Sequence, residues 1–172
     1  MKSDNISRRS FFKQALALSA VSAMPAFWIP GAKAASGAPR VSANDKVRIA
    51  FIGIGNRGAD ISQRMFKTGL CEVVALCDVD MGAPHTQKII SMFPDVPRFQ
   101  DFRQMFDKMA DKIDAVTVCT PDHSHFPITI EAMAHGKHVY VEKPMARTFQ
   151  EVELMMRAEK KFGVVTQMGN QG

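Results

Sequence analysis

VRIAFIGIGNRGAD, residues Val47 to Asp60, is the stretch whose reading decides the fold. The apolar run Val47–Ile52 reads as a parallel strand buried on both faces. It breaks into Gly53, Gly55 and Gly58. The chain restarts as a helix over 59–67, with Ile61, Met65 and Phe66 on one side and Gly69 as its stop. A G-x-G-x-x-G turn between a strand and a helix is an anion site in the making. The first glycine turns the chain, the second lets backbone approach a pyrophosphate, and the third lets helix and strand pack closely. Phosphates then meet the free N–H groups and the dipole of the helix N-terminus. Asp78, twenty positions past Gly58 and just after a second strand over 72–77, completes the pattern. A carboxylate there bonds a ribose hydroxyl pair and repels a 2′-phosphate, which predicts NAD rather than NADP. Asp80 reads as a turn residue.

Outward from this unit, strand and helix alternate. Helices are predicted over 83–92, 102–109, 126–134 and 149–162, and strands near 98–99 and over 115–119, 138–141 and 164–168. Uninterrupted alternation predicts an open, mostly parallel, doubly wound α/β sheet of Rossmann type with helices on both faces. Such sheets bind ligands beyond the carboxyl ends of their strands, so the site belongs to the loops after strands one, two, four, five and six. The sequence stops just past strand six, and a longer protein with a second, substrate-shaping α/β domain is expected.

Three of those loops carry further candidates. Strand four ends in Cys119-Thr120-Pro121-Asp122-His123-Ser124-His125. Thr120 joins the candidate cofactor set, while Asp122 or Ser124 suits a helix cap. His123 and His125 are too few and too close for a metal site, and no metal is predicted. Strand five runs into Glu142-Lys143-Pro144. Charges seldom sit at the end of a buried strand without purpose. The bland alternative is a solvated ion pair; the functional one has Lys143 reach the cofactor's reactive end and a substrate hydroxyl, helping to move a proton. Strand six ends in Gln167-Met168-Gly169-Asn170, whose amides either bond the cofactor or close a turn.

Charge and cysteines narrow the classes. The net charge is +5, from 22 basic and 17 acidic residues. Residues 1–34 hold five of the basic ones (Lys2, Arg8, Arg9, Lys13, Lys33) and only Asp4 of the acidic ones. The remainder is near neutral, which argues against nucleic-acid binding. Ser7-Arg8-Arg9-Ser10-Phe11-Phe12-Lys13, an uncharged stretch over 14–32 and Ala32-Lys33-Ala34 read as a cleaved twin-arginine signal, hence export to the periplasm by that machinery. A retained anchor is the alternative, disfavoured by Ser19, Ser22, Pro25 and Pro30. Residues 35–44 read as a flexible lead-in and 45–172 as the dinucleotide-binding domain. Cys71, Cys77 and Cys119 form no metal-ligand spacing and read as small core residues.

GIGNRG, ALCDVD, CTPDHSH, HGKHVYVEKP and NQG, in this order, resemble the glucose–fructose oxidoreductase, inositol dehydrogenase and rhizopine-catabolism (Gfo/Idh/MocA) family over Val47 to Gly172. The resemblance implies an NAD(P)-binding domain followed by an α/β substrate domain with an open antiparallel sheet, acting on a hydroxyl of a sugar or cyclitol. It implies that Lys143 lies beside nicotinamide and substrate, that its peptide to Pro144 is often cis, and that Asn56, Arg57, Asp78, Asp122, His125, Glu142 and Asn170 line the cofactor. It places a further acid/base histidine in the second domain, through which a homo-oligomer is expected. One branch, the NAD-dependent α-N-acetylgalactosaminidases, resembles the chain in GNRG, the twin-arginine leader and the closing asparagine. Lys143 stands where that branch is expected to carry valine. Three readings follow: an exported NAD-dependent oxidoreductase with tightly held cofactor, a redox-neutral glycoside hydrolase or lyase, and a non-catalytic dinucleotide-binding module.

Overall fold

Six strands and five helices build the domain in the computed structural model, which describes residues 46–170. The twin-arginine reading, the lead-in, Gln171 and Gly172 lie outside the described residues. The elements are β1 (Val47–Ile52), α1 (Asn56–Lys67), β2 (Cys71–Cys77), α2 (Gln87–Met92), β3 (Arg98–Phe99), α3 (Phe102–Met109), β4 (Ala115–Val118), α4 (His125–Ala134), β5 (His138–Glu142), α5 (Phe149–Phe162) and β6 (Thr166–Gly169). All strands are parallel, in the order β3-β2-β1-β4-β5-β6. The order reverses between β1 and β4, so the connections that leave their carboxyl ends run to opposite sides and open a crevice between them.

The two-residue period of β1 explains the layers. Ala50 and Ile52 join a core with Val116, Val118, Met105, Phe106, Ile128, Met133 and Met155, under α3, α4 and α5. Ile49 and Phe51 point the other way, to Leu76, Ile89 and Phe93 under α1 and α2. A strand that fills two cores has to be apolar on both faces. Local signals set the helix ends: Thr148 and Glu151 form a reciprocal capping box at the start of α5, and the Asp101 carboxylate accepts from the Arg103 N–H at the start of α3.

Two boundaries depart from the sequence expectation by three residues or more, and the others agree within two. The helix expected over 83–92 begins only at Gln87, because Pro84 disfavours helical backbone at Ala83. Residues before it form a turn instead, which the buried Thr86 hydroxyl stitches by donating to the Ala83 carbonyl at 2.8 Å. The helix expected from Ala59 starts earlier, at Asn56, whose φ of 43° is left-handed, a region asparagine tolerates better than most residues. Among the described residues no helix is long and apolar enough to cross a membrane.

At the amino edge, away from the crevice, Arg48 holds Asp114 in a two-point pair, Nη2 to Oδ1 at 2.6 Å and Nε to Oδ2 at 3.0 Å. The Arg48 backbone N–H adds a third bond to Oδ2 at 2.9 Å. Burial pushes the Asp114 carboxyl up, but the Arg48 hydrogen bonds and charge outweigh it and hold the group below the usual carboxylate range. A lowered native value adds stability that is present above the unfolded-state value and lost as pH falls through the native one. Asp114→Asn is therefore expected to cost about 1–3 kcal/mol at neutral pH. In urea titrations the gap to wild type should close in strong acid; a pH-independent gap would contradict this assignment.

Candidate functional site

The glycine turn is shaped by backbone on three sides. Gly53 has φ +79°, and a Cβ there would sit 2.6 Å from the Cys119 carbonyl carbon. A Cβ at Gly58 would overlap the Gly53 carbonyl oxygen. The turn is locked to both neighbouring strands: Gly53 donates to the Cys77 carbonyl at 2.8 Å, and Cys119 donates to the Ile52 carbonyl at 2.8 Å. No side chain caps α1, and no acidic residue occupies its first turn. The Gly58 N–H donates to the Gly55 carbonyl at 2.8 Å, which leaves the N–H groups of Asn56 and Arg57 for an anion.

Asp78 is built into the same turn. Its Oδ2 accepts from the Ile54 N–H at 2.9 Å, and its Oδ1 from the Asp80 N–H at 3.0 Å. Each carboxylate oxygen keeps a second lone pair for a ligand hydroxyl. Asp80 is thus the turn residue expected of it, its backbone anchoring Asp78. Between these elements lies a cavity of about 620 Å³, lined by Gly53, Gly55, Asn56, Arg57, Asp78 and Thr120 of the sequence candidates. The volume falls within the range of cofactor sites. The Thr120 hydroxyl is buried and has no hydrogen-bond partner among the described residues, an arrangement that points to a ligand contact.

The other candidates, Gly58, Asp122, His125, Glu142, Lys143 and Asn170, do not line this cavity. Glu142, 5% exposed, ends β5, where its Oε1 lies 3.7 Å from Arg57 Nε and accepts from the Tyr140 hydroxyl at 3.4 Å. Arg57 therefore bridges the glycine turn to the end of β5. Lys143 is exposed, and its peptide to Pro144 is cis. Its ammonium has no hydrogen-bond or ion-pair partner among the described residues, so it is available to a ligand. Asp122 is exposed in a short 3₁₀ turn, and Asn170 is exposed just past β6.

His125 is 1% exposed and lies beneath the rim: its Nδ1 is 2.6 Å from the Pro144 carbonyl and its Nε2 2.7 Å from the Thr120 carbonyl. With a backbone carbonyl beside each ring nitrogen, the ring lies between the loops after β4 and β5 and donates to whichever carbonyl faces its protonated nitrogen. His123 lines the cavity in its place.

Several lining residues have no signal in the glycine pattern, among them Val79, His85, Gln100 and Phe102. Val79 is 80% exposed beside Asp78, and Gln100 ties to it by donating to the Val79 carbonyl at 3.0 Å. Val79, Gln100 and Phe102 lie one to three residues past a strand end, a weak cue that sequence alone offers, whereas His85 sits eight residues past β2 in the turn before α2 and has no such cue. Cys77 and Cys119 also line the cavity. Burial pushes both thiols up to about 12, with nearby carboxylates adding to the effect, so neither supplies a thiolate near neutrality. Among the described residues no three His, Cys, Asp or Glu side chains converge as metal ligands do.

These features fit a dinucleotide: an uncapped helix end behind a glycine turn for the phosphates, a carboxylate with spare lone pairs for a ribose, and an unpaired hydroxyl in the wall. Asp78→Asn keeps an oxygen for the Ile54 N–H but loses the charge. It is expected to weaken NAD about tenfold and to narrow the preference over NADP. Fluorescence titration with both dinucleotides reads this, and an unaltered preference would remove Asp78 from the ribose.

Comparisons with known proteins agree with this geometry. An α-N-acetylgalactosaminidase of Bacteroides fragilis is 37% identical over 121 residues, 66% of this chain and 28% of that protein. A glycosyl hydrolase family 109 protein of Shewanella baltica is 35% identical over 167 residues, 86% of this chain and 35% of that protein. The chain thus spans about a third of the length of the curated relatives it matches. Among solved structures, myo-inositol 2-dehydrogenase from Lactobacillus plantarum matches with a TM-score of 0.63 at 26% identity, covering 73% of this chain and 36% of that one. The model of the oxidoreductase family with an NAD-binding Rossmann fold matches residues 47–170. With NAD as its cofactor and strand order, glycine turn and Asp78 in agreement, the chain belongs to the Gfo/Idh/MocA oxidoreductase family.

Proposed function

We propose that this chain is the cofactor-binding part of an exported enzyme that oxidises a hydroxyl-bearing carbon of a sugar or cyclitol. The observation that carries the reading is the end of β5. Glu142 is linked to the glycine turn through Arg57, and the next residue, Lys143, presents an exposed ammonium with no partner among the described residues. Bound NAD supplies a hydride acceptor. The chain's own groups hold it by the α1 N-terminus and Asp78, and Lys143 exchanges the proton of the substrate hydroxyl. Arg57 offsets the Glu142 carboxylate, which leaves the Lys143 charge free to orient the substrate oxygen.

The curated relatives favour a second reading of the same step. Oxidation at a ring carbon acidifies the neighbouring C–H, permits loss of a glycosidic leaving group, and is reversed in the same site. The names of the Bacteroides and Shewanella proteins support this redox-neutral cleavage, whereas the inositol dehydrogenase likeness and Lys143 support net oxidation. The leader supports export after folding, with NAD loaded in the cytoplasm and kept in the periplasm. The length of the relatives supports a second domain that completes the substrate site and carries any oligomer contact.

The deciding assay incubates the protein with free sugars and cyclitols, and separately with an aryl α-N-acetylgalactosaminide, following NADH absorbance and released aglycone. Net NADH with a free polyol supports net oxidation. Aglycone released without NADH supports the second reading, and neither product from an NAD-loaded protein would leave the non-catalytic module.

A further inference from the structure

The turn from Met81 to Thr86 has no part in the chemistry above, yet it places one side chain directly on the phosphate end of the cavity. The imidazole of His85 lies against Gly55, so close that a Cβ at position 55 would overlap it. Gly55 is the glycine whose bare Cα lets backbone approach a pyrophosphate. His85 therefore covers the surface that the phosphates need, and it lines the same cavity as Asp78 and Thr120.

Three observations separate this residue from ordinary packing. Its ring makes no hydrogen bond or ion pair among the described residues, so nothing polar holds it where it lies. It is exposed, so rotation costs little burial. The backbone that carries it is fixed: the Thr86 hydroxyl donates to the Ala83 carbonyl at 2.8 Å, and the Gln87 amide donates to the Met81 carbonyl at 2.9 Å. A fixed backbone with a free imidazole lets the ring lift off Gly55 by side-chain rotation alone and stay beside whatever takes its place. Either neutral tautomer carries one N–H, so a donor is present in every protonation state. The lining cation of the glycine turn, Arg57, is already directed to Glu142.

We propose that His85 is a cofactor-retaining residue: on binding of NAD its ring swings from Gly55 and closes over the pyrophosphate, donating an N–H to a phosphate oxygen. Net retention follows because one hydrogen bond to a charged group is gained while no internal polar contact is lost. The inference rests on the phosphates lying on the glycine turn, and the test separates the two claims.

Cofactor-stripped full-length protein, as wild type, His85→Ala and His85→Gln, is titrated with NAD, ADP-ribose and adenosine. His85→Ala is expected to weaken NAD and ADP-ribose about tenfold or more while leaving adenosine within about twofold. His85→Gln, which keeps an N–H donor, should recover part of the loss. Unchanged or tighter binding of ADP-ribose by His85→Ala would show a mere obstruction and overturn the proposal. An equal loss with adenosine would overturn it too, since the contact would then not be to phosphate. Wild-type protein that binds adenosine and ADP-ribose equally well would remove the phosphates from the glycine turn, and His85 with them.

Discussion

Gly53→Ala is expected to lower stability by about 2–5 kcal/mol and to abolish NAD binding. Two costs add. An alanine held at φ +79° pays about 1–2 kcal/mol for left-handed backbone. Its Cβ would also meet the Cys119 carbonyl carbon and oxygen at 2.6 Å and the Thr120 nitrogen at 2.7 Å. That backbone cannot retreat cheaply, because Cys119 and Gly53 each hold a ladder-type bond across the sheet. Overpacking of this kind costs about a further 1–3 kcal/mol. Any relief comes from moving the β4 loop, which carries Thr120 into the cavity, so stability and cofactor binding fail together. Gly69 and Gly136 are the controls. Both have φ +72°, but a Cβ at either meets nothing within 4 Å. Alanine there should cost only about 1 kcal/mol and leave NAD binding alone. Denaturant titrations that found the three substitutions equivalent would contradict the placement of Gly53 against β4.

The second large effect is on turnover. Lys143→Ala is expected to lower kcat by about 10²–10⁴-fold, the usual contribution of a positioned proton-transfer group. Stability should stay within about 0.5 kcal/mol of wild type, because the side chain is exposed and unpaired among the described residues. NAD affinity should hold within severalfold. Arginine should not rescue, since a guanidinium keeps its proton and cannot relay one. Unchanged kcat in Lys143→Ala would end the catalytic role assigned to this lysine.

The fold was legible wherever a strong period coincided with a clear stop. Val47–Ile52, Arg98–Phe99, Phe102–Met109 and Phe149–Phe162 have the boundaries that their patterns predict, each bounded by glycine, proline or a capping residue. The glycine turn and Asp78 were legible because their roles are local, set by backbone geometry within one strand-turn-helix unit. Contacts between distant segments were not. Nothing in the spacing of Arg57 and Glu142 announces that they meet, nor that His85 reaches Gly55. The pair His123 and His125 shows the limit most clearly. Two residues apart, they leave a 3₁₀ turn and enter α4, and only the fold decides that His123 faces the cavity while His125 turns inward to two carbonyls. The Pro84 turn was missed because apolar spacing over 83–92 suits a helix, while one proline overrides it.

A resident NAD, loaded before export and kept through each turnover as proposed above, should survive purification. The most direct measurement denatures the protein, purified from cells without added cofactor, and identifies any dinucleotide released. Near-stoichiometric NAD or NADH is the predicted result. An empty protein that binds added NAD only weakly would contradict it.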